Sequence, residues 1–143
     1  MEYVADEVEI RYLGLSVFET NDKGQYICNH VKSQDELLVM ITRAAQLDGS
    51  VLHALASHHC STLCQLLGQT YRGYIGIDMM VVDASSRPQL HPCVEINFRM
   101  TMGVVAMKLF ERGVSALPFR SHPTAVFATQ LADGHFSIIY RQN

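Results

Sequence analysis

From Gly73 to Arg99 the chain alternates apolar and polar residues on both sides of a turn, and this constrains its fold more than any other feature. Successive side chains of an extended strand point to opposite faces. In Gly73 to Asp83, Ile75, Ile77, Met79 and Val81 therefore share one face, and Gly76, Asp78 and Met80 the other. In Cys93 to Arg99, Val94, Ile96 and Phe98 make an apolar face, while Glu95, Asn97 and Arg99 line the opposite one at steps of about 6.6 Å. Pro88 marks the turn, and an antiparallel hairpin centred near Ser86 and Arg87 sets position 78 against position 95. Like charges directly across a ladder are destabilising, so Asp78 against Glu95 calls for a cation or a raised carboxyl pKa. A carboxylate, an amide oxygen and a guanidinium in one row suit a divalent cation beside a phosphate. The plainer alternative is that both acids simply face water on a half-exposed sheet.

Gly76-Ile77-Asp78, a hairpin, and then His91-Pro92-Cys93-Val94-Glu95-Ile96-Asn97-Phe98-Arg99-Met100-Thr101-Met102-Gly103 together resemble the C-terminal part of an ATP-grasp domain. Tyr12-Leu13-Gly14-Leu15-Ser16-Val17-Phe18-Glu19-Thr20 is also similar to a segment upstream of it in one branch of that superfamily, and the likeness runs to about Arg112. The resemblance implies that Asp78, Glu95 and Asn97 hold magnesium on the phosphates of ATP. It implies that Arg99 contacts phosphate or substrate, as a catalytic and nucleotide-binding residue beside Asn97. Enzymes of the family phosphorylate a carboxylate and join the acyl phosphate to an amine or thiol.

The family also closes a second, N-terminal subdomain over the nucleotide, bringing lysines and a glycine-rich loop. The lysines of this chain are Lys23, Lys32 and Lys108, none of them in a glycine-rich loop before a strand, and nothing ahead of Tyr12 is long enough to be that subdomain. The expectation is a chain that does not use ATP by itself: its other half is further sequence or another polypeptide, or the activity has been lost.

At 143 residues the chain fits a single domain over 1–143, since a chain of this size buries roughly 68–70% of its unfolded surface. A net charge of −3 with no cluster of Lys and Arg argues against a nucleic-acid surface. The start of the chain lacks the basic and apolar regions of a leader, and no apolar run approaches the ~20 residues that cross a bilayer. The expected location is cytoplasmic, with no membrane partner and with Cys28, Cys60, Cys64 and Cys93 as reduced thiols. A hydrophobic fraction of 48% fits a face that meets a second subdomain or a like subunit, and a homo-oligomer is expected, most simply a twofold dimer.

Elsewhere, Val8 to Thr20 reads as a strand whose alternation changes phase near Gly14, a bulge or close approach. Asn21 to Gly24 is a turn into a second strand, Gln25 to Asn29. Ser33 to Glu36 matches a capping box, with Leu37, Met40, Ile41, Ala44 and Leu47 on one helical face and Gly49 as the stop. Ser50 can cap a second helix with the stripe Leu52, Leu55, Ala56, His59, Leu63 and Leu66 or Leu67, ending near Gly68. Val104 to Arg112 reads as a helix closed by Gly113, and Ala125 to Leu131 with His135 to Arg141 as a hairpin around Asp133-Gly134. The fold class expected is α+β, a mostly antiparallel sheet with helices on one face.

Two weaker signals complete the reading. His58, His59, Cys60 and Cys64 could suggest zinc, but adjacent histidines diverge by about 100° on a helix, so a helix with the cysteines packed as small hydrophobes is expected. His91, before Pro92, is expected in a turn. Three functional classes follow: the magnesium and nucleotide half of a ligase, a non-catalytic relic that associates through the old site face, and a small metal-binding protein.

Overall fold

A computed structural model describes residues 1–84, 87–114, 124–131 and 135–142. The protein is α+β, with two antiparallel four-stranded sheets and three helices among the described residues. It divides into two compact units, Met1–Leu15 with Gln34–Thr101, and Ser16–Ser33 with Met102–Asn143.

In the first unit, β1 (Glu2–Ala5), β2 (Ile10–Gly14), β5 (Gly73–Asp83) and β6 (Pro88–Asn97) order as β2-β1-β5-β6. Helices α1 (Gln34–Ala45) and α2 (Gly49–Leu67) belong to the same unit. Helix α1 ends where Gln46 takes a left-handed φ of 52°, and the Leu47 amide closes back on the Thr42 carbonyl at 3.0 Å, a Schellman-type stop. Gly49, expected to end this helix, opens the next one. Its N-cap is Asp48 in place of the expected Ser50: the Asp48 carboxylate accepts from the Ser50 amide at 2.8 Å. Of the predicted stripe, Leu52, Ala56, His59 and Leu63 are buried and Leu55 and Leu67 partly so, whereas Leu66 is exposed.

In the second unit, β3 (Phe18–Thr20), β4 (Tyr26–His30), β7 (Thr124–Gln130) and β8 (Phe136–Gln142) order as β3-β4-β7-β8. Helix α3 (Met102–Glu111) packs Ala106 with Val31 and Ala128, and Met102, Leu109 and Phe110 surround them. The Asn21 turn forms as expected, its side-chain oxygen accepting from the amides of Lys23 and Gln25. Tyr26 donates to Asn29 Oδ1 and to the Ala128 carbonyl, and partial burial raises its phenol to about 12. The Asp133-Gly134 turn and Ser86 lie outside the described residues.

Two expectations change. Val8 to Thr20 is not one strand: β2 and β3 join different sheets, and the phase change at Gly14 marks the crossing. Gly14 has φ of 152°, a conformation that glycine adopts freely and that strains a residue carrying a Cβ. The second change is β1, which periodicity did not indicate because four residues are too few to show a period. It is nonetheless an inner strand, pairing with β2 on one side and β5 on the other.

Candidate functional site

The hairpin β5–β6 places Asp78 directly opposite Glu95, and Gly76 opposite Asn97. Residues directly across an antiparallel ladder project to the same face. Asp78, Glu95 and Asn97 therefore share a face, as the alternation predicted. The Asn97 Nδ2 donates to Asp78 Oδ2 at 3.2 Å, and Arg99 Nη2 donates to Asn97 Oδ1 at 3.4 Å. Arg99 lies two residues past the end of β6 and still reaches this row. Of the four predicted site residues, three are linked by hydrogen bonds and the fourth, Glu95, is exposed at the ladder position facing Asp78.

Asp78 is half-buried, and burial raises its carboxyl above the usual carboxylate range. The Met1 amine offsets part of this, the like charge of Glu95 adds to it, and Asn97 and Arg99 offset it again. A desolvated carboxyl with a like charge across the ladder is a position that a cation relieves. The donors are hard oxygens, which fits magnesium or calcium better than a soft metal. To give an oxygen to a cation beside Asp78, the Asn97 amide would turn its Oδ1 away from Arg99. Among the described residues, no three His, Cys, Asp or Glu side chains converge on a common metal position. The donor set thus rests on two carboxylates and an amide.

Two neighbours of this face were not legible in the sequence. Glu2 on β1 pairs with Gly76, placing its side chain in the same row as Asn97, and it is buried. Its Oε2 accepts from Thr101 Oγ1 at 2.7 Å. Gly76 makes room for both: a Cβ there would lie 2.5 Å from Thr101 Cγ2 and 3.2 Å from Glu2 Oε2. A glycine inside a strand is the one signal of this close approach that the sequence carries.

On the opposite face, Tyr3 hydroxyl and His59 Nδ1 lie 2.7 Å apart, both side chains buried. Burial, then the Met1 amine and His58, lowers His59 below the ordinary histidine value, while burial raises Tyr3. His59 is thus a core histidine held by one hydrogen bond. Cys60 is partly buried and its thiol is pushed up first by burial, whereas Cys64 is exposed and not packed as expected. His91 sits in β6 opposite Met80, not in a turn. A cavity of about 580 Å³ lies between the start of β6 and the α1–α2 junction, lined by His58, Arg87, Leu55, Leu90 and other mostly apolar residues.

No helix among the described residues is long and apolar enough to cross a membrane. No protein-family model matches the chain, and neither a curated protein nor a solved structure matches it.

Proposed function

We propose that this chain is the magnesium- and ATP-phosphate-binding half of an ATP-grasp-like carboxylate–amine or carboxylate–thiol ligase, cytoplasmic, and inactive without a lysine-bearing half. The observation that carries the reading is the shared face of Asp78, Glu95 and Asn97 with Arg99 hydrogen-bonded into the same row. Asp78, Glu95 and the Asn97 oxygen would hold magnesium, and Arg99 would balance phosphate charge as the residue nearest the transferred group. Magnesium there would neutralise charge on the phosphates. Most of the rate in phosphoryl transfer comes from positioning and charge stabilisation, so a half-site binds without turning over.

Binding to the folded state alone stabilises it by mass action. Magnesium with ATP should therefore raise the thermal midpoint, and Glu95→Gln and Asn97→Ala should each shrink that rise, whereas Arg43→Ala, on the exposed side of α1, should not. No rise with magnesium and ATP, or a rise that survives Glu95→Gln, would refute the reading. A second reading is a non-catalytic relic serving as an interaction or oligomerisation domain; the exposed apolar residues of β6 favour it.

A further inference from the structure

β6 is the outer strand of its sheet, and among the described residues no strand pairs with its free side. An edge of this kind presents unpaired N–H and C=O groups, and proteins ordinarily blunt it with charges or prolines along its length. Here the C-terminal half of β6 instead carries Val94 at 55% exposure, Ile96 at 38% and, one residue past its end, Phe98 at 47%. These three share one face, and Glu95 and Arg99 lie on the other.

We infer that β6 pairs antiparallel with β6 of a second copy, about a twofold axis at Ile96, to make one continuous eight-stranded sheet. Sterics, charge and the point where β6 ends together select this register. In a twofold sheet extension, facing residues must belong to the same face, so the axis falls on a residue. An axis at Glu95 would set Glu95 against its own copy, a like-charge pair. An axis at Val94 would draw in Pro92, which has no N–H to donate and lies where two residues of β5 step past four of β6 in a bulge. An axis at Asn97 would set Glu95 against Arg99 of the second copy, but it needs the chain extended to Arg99, two residues past the end of β6, where the axis at Ile96 needs only Phe98.

With the axis at Ile96, Val94 faces Phe98 of the second copy and Ile96 faces itself. Glu95 faces Asn97 of the second copy, with that copy's Arg99 on one diagonal and its Glu95 on the other, each within reach of a long side chain. The surface is therefore complementary to itself in apolar area, and its two Glu95–Arg99 diagonals outweigh the single Glu95–Glu95 one. The Asp78 rows of both copies would then lie side by side on one face. This inference rests on the edge and its charges and holds whether or not the row binds nucleotide.

Sedimentation of the pure protein without metal or nucleotide tests it. A concentration-dependent dimer is expected, and Ile96→Lys, which sets two ammonium groups against each other on the axis, should leave a monomer with an unchanged circular dichroism spectrum. Glu95→Arg and Arg99→Glu should each weaken the dimer by several fold, and the two together should restore it. A monomer at every concentration, a dimer indifferent to Ile96→Lys, or a double swap no tighter than the weaker single change would overturn the inference.

Discussion

Strands β5 and β6 are neighbours with the same alternation, yet their apolar residues meet opposite fates. Ile75 and Ile77 of β5 are fully buried, whereas Val94 and Ile96 of β6 and the adjoining Phe98 are substantially exposed. The difference follows from position in the sheet. β5 has β1 on one side and β6 on the other, while β6 ends the sheet. Alternation decides which way a side chain points; it does not decide whether anything is there to cover it.

The largest expected effect breaks the two strands apart. Ile77→Ala should cost about 2–5 kcal/mol in urea unfolding, because it leaves a cavity in a packed core. Ile96→Ala, measured dilute enough to keep the chain monomeric, should cost no more than about 0.5 kcal/mol, as expected of a surface change. Equal losses at both sites would mean that β6 is covered in solution.

Next comes the opposite face of the same two strands. Gly76→Ala should destabilise by about 1–3 kcal/mol, since the added Cβ collides with Thr101 and crowds Glu2. Adding Thr101→Ser, which removes the colliding methyl, should recover part of that loss. No recovery would indicate that backbone conformation, not this contact, sets the requirement for glycine.

The smallest effect sharpens the electrostatic side of the comparison. Asp78 is half-buried on β5 and Glu95 is exposed on β6, and the Asp78 carboxyl is raised chiefly by burial. A carboxyl whose pKa is higher folded than unfolded contributes stability that is full below the unfolded value and lost as pH rises through the folded one. Asp78→Asn should therefore gain on the parent protein in thermal midpoint as pH rises above the carboxylate range, with the gain fading in acid. Glu95→Gln should show a weaker version of the same trend, because removing one charge relieves Asp78 in part. A pH-independent difference at position 78 would show that burial of its charge is not what the carboxyl feels.

Much of the site could be read directly. The pairing of position 78 with position 95 follows from two alternating runs around a turn, both local in sequence, and the row of Asp78, Asn97 and Arg99 follows from the two-residue period. What could not be read came from contacts between distant residues. Glu2 joins the site across nearly the whole unit, through a strand too short to show a period, and Thr101 reaches it after the strand has ended. The bulge beside Pro92 shifts the outer half of the hairpin by two residues, and only the pairing of the folded chain reveals it.

By itself, then, the sequence determined the hairpin, the faces of its strands, the helices and the α+β class, because each depends on residues a few positions apart. The tertiary structure decided that Gly14 separates two sheets, that β1 lies inside one of them, and that β6 lies at its edge with apolar residues partly exposed. Those outcomes depend on which strands pair, a competition among hydrogen-bonded partners that local periodicity does not record.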